Sequence, residues 1–137
     1  MASKRILLVE DDEALSGIIR RNLLARGYQV VAVGTAEQAL SRIVEDQPDM
    51  VLLDIMLPDR SGWDVLRRLQ TYDISPQVIV ISAVRVSPER LREFKPLAYL
   101  PKPFPLDALL RVIDRADGEG PSVEEQEDEL LAEKVSS

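Results

Sequence analysis

Five times along this chain a short apolar run gives way to a stretch of helical character. The runs are Ile6–Val9, Val30–Val33, Met50–Leu53, Val78–Ile81 and Ala98–Leu100. None alternates strictly between apolar and polar residues, as a strand with one face in water does. Runs that are apolar on both faces belong in a sheet covered on both sides, and that is the signature of parallel strands. A fivefold β-α alternation of this kind predicts a doubly wound α/β fold: a five-stranded parallel sheet with helices on both faces, joined by right-handed crossovers. In such sheets ligands bind beyond the carboxyl ends of the strands. The residues that end the runs therefore say most about function.

Local signals set the expected boundaries. Strand 1 covers Arg5–Val9, and a helix over Glu13–Arg26 carries Leu15, Ile18, Ile19 and Leu23 on one stripe. Gly27 ends that helix in a left-handed cap position. Strand 2 covers Gln29–Val33. Thr35 then caps a helix reaching Glu45, with Ala36, Ala39, Leu40 and Ile43 inward, and Pro48 blocks its continuation. After strand 3, Gly62 precedes a helix over Trp63–Leu69, in which Trp63 has a packing role only. Strand 4 is followed by a short helix near Pro88–Phe94, where the apolar stripe is weakest. The last helix opens at Pro105, a favoured first-turn residue, and turns Leu106, Leu109, Leu110 and Ile113 inward. Gly118, Gly120 and Pro121 mark the end of the folded body, and Ser122 with Glu125 forms a capping box in the tail. The expected division is a domain over 1–116 and an acidic tail or linker over 117–137.

Each site-facing run ends in chemistry. Ile6–Val9 stops at Glu10-Asp11-Asp12, Met50–Leu53 at Asp54, Val78–Ile81 at Ser82, and Ala98–Leu100 leads through Pro101 to Lys102-Pro103. A charge at the end of a buried strand is costly unless the strand opens into a polar site. Asp12 reads as the cap of the first helix, which leaves Glu10 and Asp11 for the pocket. The chain holds no cysteine and no histidine. That excludes disulfides, thiolate chemistry, Cys-based zinc sites and the usual imidazole base. Any metal here is oxygen-ligated.

The net charge is −7, yet residues 1–116 balance 16 acids against 16 bases, and residues 117–137 carry 8 acids and one lysine. The acidity belongs to the tail and argues against nucleic-acid binding by this chain. No apolar run approaches the roughly 20 residues of a membrane span, and the start is too short for a secretion signal. The expected location is the cytoplasm, with no membrane association.

Taken in order, Ile6-Leu7-Leu8-Val9-Glu10-Asp11, Leu52-Leu53-Asp54-Ile55-Met56-Leu57-Pro58, Ser61-Gly62, Ser82-Ala83 and Tyr99-Leu100-Pro101-Lys102-Pro103-Phe104 resemble the response-regulator receiver domain of two-component signalling, over residues 4–115. The resemblance implies a flavodoxin-like strand order, 2-1-3-4-5. It implies a phosphoacceptor at Asp54, charged by a histidine kinase, a phosphotransfer protein or a small phosphodonor. It also implies Mg²⁺ held by Glu10, Asp11, Asp54 and the backbone carbonyl of Met56. Ser82, Ala83 and Lys102 then match the positions that receive the phosphoryl oxygens, and Tyr99 the aromatic that follows the hydroxyl. Lys102–Pro103 matches a cis peptide. The downstream partner is expected on the face of helix 4, strand 5 and helix 5.

The chain departs from the family pattern in two places. Phe94-Lys95-Pro96-Leu97-Ala98 stands where a Gly-Ala-Asp-type turn is common, and the Ser82–Lys102 segment is about two residues short, so helix 4 is expected to be short or shifted. Met56 and Val84 occupy the positions that tune attack of water on the acyl phosphate. Both are apolar, so self-dephosphorylation is expected to be slow and the chain is read as no enzyme. An aspartyl phosphatase would place a second Asp where Met56 stands. A flavin site would place a Ser/Thr/Gly loop where the acids follow strand 1, and no Gly-x-x-x-x-Gly-Lys loop exists. Two alternatives stay open: a receiver fragment of a longer regulator, and a receiver-like module that binds without phosphorylation.

Overall fold

The computed structural model describes residues 4–119. It divides into two compact units, one up to Pro103 and one from Phe104 onward. The first unit holds β1 (Arg5–Val9), α1 (Glu13–Ala25), β2 (Gln29–Val33), α2 (Ala36–Asp46), β3 (Met50–Asp54), α3 (Gly62–Thr71), β4 (Gln77–Ser82), α4 (Pro88–Phe94) and β5 (Ala98–Pro101). The second holds α5 (Leu106–Asp114) and a closing π-helical turn, Arg115–Glu119.

All strand pairs are parallel, and the order is β2-β1-β3-β4-β5. This is the flavodoxin-like topology. The chain steps from β1 to β2 in one direction and from β2 through β3 to β5 in the other. Right-handed crossovers then put α1 on one face and α2, α3 and α4 on the opposite one. Leu7, Val9, Val51, Leu53 and Val80 alternate onto the second face and pack with Ala36, Ala39 and Ile43 of α2 and Val65, Leu66 and Leu69 of α3. Ile6, Leu8, Met50, Leu52, Ile79 and Ile81 point the other way and are equally buried. Double burial is the physical reason for the unbroken apolar runs of β1, β3 and β4, whereas β2, at the edge of the sheet, has an equally apolar run with no residue fully buried and Val31 exposed.

Helix ends follow their capping chemistry. Asp12 accepts from Leu15 N, Thr35 from Gln38 N, Ser61 from Trp63 N and Ser87 from Arg90 N. Gly27 takes a positive φ of 90° after α1. Three sequence expectations need adjustment. Gly62, expected just before the third helix, is already its first residue, and Ser61 is the cap. A Cβ on Gly62 would lie 2.7 Å from the Asp54 carbonyl oxygen and 2.9 Å from Ile55 Cα, so only glycine lets the helix start this close to β3. Ile18, expected on the inner stripe of α1, is 43% exposed because it sits a quarter-turn off the Leu15–Ile19–Leu23 row.

The third adjustment concerns the C-terminal part. In α5, Leu109, Leu110 and Ile113 are buried as expected, together with Ala108, while Leu106 is only half-buried. Gly118 lies within the closing turn. The tail capping box at Ser122 and Glu125 lies outside the described residues.

α4 is short, seven residues with none fully buried. It is nonetheless held. Trp63, in the first turn of α3, stacks on Phe94 with ring centroids 5.4 Å apart and planes 18° off parallel, and Arg90 lies over the Trp63 ring.

Candidate phosphoacceptor site

The site sits where β1, β3, β4 and β5 end together. Val9 pairs with Leu53, Asp54 with Ile81, and Ser82 with Pro101. The ladder continues one step further: Glu10 N donates to Val33 O, Ile55 N to Ile81 O, and Lys102 N to Ser82 O. The residues at the strand ends therefore inherit the rigidity of the sheet.

Asp54 is buried at 2% exposure and fully engaged. Its Oδ1 accepts from Met56 N at 2.9 Å, and its Oδ2 accepts from Lys102 Nζ at 2.8 Å. Glu10 is buried as well, and its Oε2 accepts from Asp12 N at 3.1 Å. Its Oε1 lies 2.5 Å from Lys102 Nζ but out of hydrogen-bond alignment, so this buried oxygen has charge contact without a directional donor. Asp11 is exposed at the mouth. One carboxylate oxygen each from Glu10, Asp11 and Asp54 falls within 4.8 Å of the others.

Electrostatics follow from this crowding. Burial pushes the Glu10 carboxyl up to about 7, opposed by Lys102 and reinforced by the neighbouring Asp54. Burial by itself would lower Lys102, but its contacts to Asp54 and Glu10 outweigh that and hold the ammonium above its usual range. The lysine is thus shared between two buried acids.

Three carboxylates whose oxygens converge within 4.8 Å, with no imidazole or thiolate beside them, fit a hard divalent cation such as Mg²⁺.

Ser82 is buried at the end of β4, and its Oγ accepts from Val84 N at 3.1 Å, which leaves the hydroxyl proton for another acceptor. Ala83 is exposed beside it, and Tyr99 is half-buried on β5, packed with the α2–α4 side of the core. The Lys102–Pro103 peptide is cis. The structure therefore brings Glu10, Asp11, Asp54 and Lys102 into one cluster, with Ser82 in line at the next strand end and Met56 anchored to Asp54 through its N–H.

Residues 6–114 match the family model of the response regulator receiver domain. The chain belongs to the response-regulator receiver family. It is 38% identical over 127 residues to the response regulator MprA of Mycolicibacterium vanbaalenii, covering 86% of this chain and 55% of that protein. It is 39% identical over 107 residues to the transcriptional regulatory protein KdpE of Mycobacterium tuberculosis, covering 77% of this chain and 47% of that protein. The receiver thus spans about half the length of these curated relatives. Among solved structures, the non-phosphorylated HemR receiver domain of Leptospira biflexa is similar at a TM-score of 0.78 and 30% identity, covering 88% of this chain and 98% of that one. The signal receiver domain of a putative LuxO repressor protein from Vibrio parahaemolyticus is similar at a TM-score of 0.77 and 27% identity, covering 96% and 98%. Receivers of this family are signalling phosphoacceptors that work with histidine kinases, and they are generally not enzymes. Among the described residues no helix is long and apolar enough to cross a membrane.

Sequence reasoning missed Asp59. Its carboxylate reaches across to the start of α2, where it accepts from Ala36 N at 2.9 Å and Glu37 N at 3.0 Å. It missed the Trp63–Phe94–Arg90 stack as well.

Proposed function

We propose that this receiver takes a phosphoryl group on Asp54 in the presence of Mg²⁺ and thereby switches a partner-binding face. The observation that carries the reading is the pairing of a buried Asp54 with a lysine shared between it and Glu10. An Asp54 carboxylate oxygen forms the new bond to phosphorus. The bond to the donor's phosphohistidine nitrogen, or to the carboxylate oxygen of a small acyl phosphate, breaks, and its electron pair leaves with the donor. Glu10, Asp11, Asp54 and the Met56 carbonyl would hold Mg²⁺, which supplies positive charge against the equatorial phosphoryl oxygens when bound.

The remaining steps belong to the protein. Met56 N, already on Asp54 Oδ1, orients the carboxylate. Lys102 has only to shift from Asp54 Oδ2 to meet a phosphoryl oxygen. The Ser82 hydroxyl donates once that oxygen exists. Such a bond would draw on the turn that Ser82 now caps through Val84 N, and that turn leads into α4. Pull on this turn, followed by Tyr99, is the route we assign to an output face that includes α4 and β5.

Met56 and Val84 are both exposed and apolar, 55% and 44%. Neither side chain holds an attacking water, which supports a long-lived acyl phosphate. The reading puts the protein in the cytoplasm with its kinase or phosphotransfer partner, with 1–116 as the receiver and 117–137 as tail or linker.

The test is beryllofluoride, an acyl-phosphate mimic, followed by ¹⁹F NMR with Mg²⁺. A bound resonance in the wild type that is absent in Asp54→Asn is expected. A bound resonance that persists in Asp54→Asn, or no binding by the wild type, contradicts the assignment.

A further inference from the structure

The loop from Asp54 to α3 is short and carries Met56, the one proposed metal ligand that is a backbone group. Such a ligand cannot be re-aimed by a rotamer, so it is only as well placed as the loop itself. The loop is tied at its two ends. Met56 N donates to Asp54 Oδ1, Met56 bridges to Ser61, and Gly62 N donates to Ile55 O. Between these ties the chain runs through Leu57, Pro58, Asp59 and Arg60, which belong to no helix or strand.

Asp59 supplies the tie in the middle. Both of its carboxylate oxygens are used, one on Ala36 N and the other on Glu37 N, two of the orphan donors that open α2. These bonds, led by that from Ala36, hold the Asp59 carboxyl below the usual carboxylate range. Thr35 Oγ1 takes the next donor, Gln38 N. The first turn of α2 is therefore capped twice, once by its own Thr35 and once by a residue 23 positions away on the loop between β3 and α3. A helix needs only the first kind of cap. The second fixes the loop to a helix that is itself packed on the sheet through Ala36, Ala39 and Ile43.

We infer that Asp59 is a positioning residue for the metal site: by clamping the loop to the α2 N-terminus it holds the Met56 carbonyl where a divalent cation can use it. The inference rests on the Mg²⁺ site proposed above. It also separates two effects that a cap usually confounds. Thr35→Ala removes a cap from the same helix turn without touching the loop, whereas Asp59→Ala removes a cap and frees the loop.

The experiment titrates Mg²⁺ into wild type, Asp59→Ala, Asp59→Asn and Thr35→Ala, reading backbone amide shifts of residues 54–62 and, separately, urea midpoints. Thr35→Ala and Asp59→Ala should lose similar stability. Only Asp59→Ala should bind Mg²⁺ more weakly, by about tenfold, the lower range for a lost support of a metal ligand. Asp59→Asn keeps one acceptor oxygen and should fall between. If Asp59→Ala does not fold, Asp59→Asn against wild type decides by the same criterion. Mg²⁺ affinity that is equal across all folded variants overturns the positioning role while leaving the metal site standing. A wild type that shows no Mg²⁺-dependent shifts overturns the metal site and this inference together.

Discussion

Replacing Lys102 by Met should destabilise the metal-free protein far more than loss of a surface lysine. The variant keeps most of the stem and removes the ammonium. That ammonium lies 2.5 Å from Glu10 Oε1 and 2.8 Å from Asp54 Oδ2. At an effective dielectric of about 20, each contact is worth roughly 6 kcal/mol of gross attraction. Glu10 and Asp54, within 4.8 Å of each other, repel by roughly 3.5 kcal/mol on the same scale. Much of the attraction only repays desolvation, so the net cost is set by leaving two buried acids without their cation, about 3–5 kcal/mol.

The assay is urea unfolding at pH 8 in EDTA, where a midpoint drop of about 1.5–3 M at unchanged slope is expected. The pH matters. Glu10's folded pKa, about 7, stands above its unfolded value of 4.5. The folded state holds the extra proton between those values, and stability falls as pH rises through that window. Below pH 7 a protonated Glu10 masks part of the lysine's role, and because Lys102 itself holds the Glu10 pKa down, its loss carries some of that masking to higher pH, which sets the expected cost at the lower end of the range. Millimolar Mg²⁺ should restore most of the loss. A cost under about 1 kcal/mol at pH 8 would mean the lysine is no more than a surface ion pair, and would refute the shared-cation reasoning.

Gly62→Ala should cost about 1–3 kcal/mol in unfolding free energy, because the new Cβ meets immovable backbone at Asp54 and Ile55; wild-type stability would show that the junction relaxes freely. Phe94→Ala should remove the ring pair, about 0.5–1.5 kcal/mol beyond burial, and shift the emission of Trp63, the sole tryptophan, to longer wavelength; unchanged emission would contradict the stack. Asp59 has a folded pKa below the ordinary 3.8, so its contribution is present above that value and lost as pH falls through the folded one. The stability gap between wild type and Asp59→Asn should close in that acid range, and a gap independent of pH would contradict it. Met56→Asn combined with Val84→Glu should shorten the life of the acyl phosphate several-fold by phosphate release; equal decay would show that these positions do not control water.

The central strands could be read from sequence because their burial leaves a direct trace. A run such as Met50–Leu53 is apolar throughout since both of its faces are covered. The acids stood out for the same reason, as charges at the ends of such runs. Asp59 left no trace of this kind. Beside Pro58 it looks like any loop acid, and its partners lie 23 and 22 residues back along the chain. Trp63, Arg90 and Phe94 meet across two helices, and no periodicity links them. The need for glycine at 62 likewise depends on where the Asp54 carbonyl falls, which is a tertiary distance. Ile18 was misread because a three-or-four spacing defines a stripe about 100° wide and does not say which flank of it is covered.

The most direct test of the central claim is intact mass after incubation with Mg²⁺ and acetyl phosphate, with Asp54→Asn alongside. One added phosphoryl group in the wild type and none in the variant is the expected result. An unmodified wild type at every Mg²⁺ concentration, or a modified Asp54→Asn, would contradict Asp54 as the acceptor.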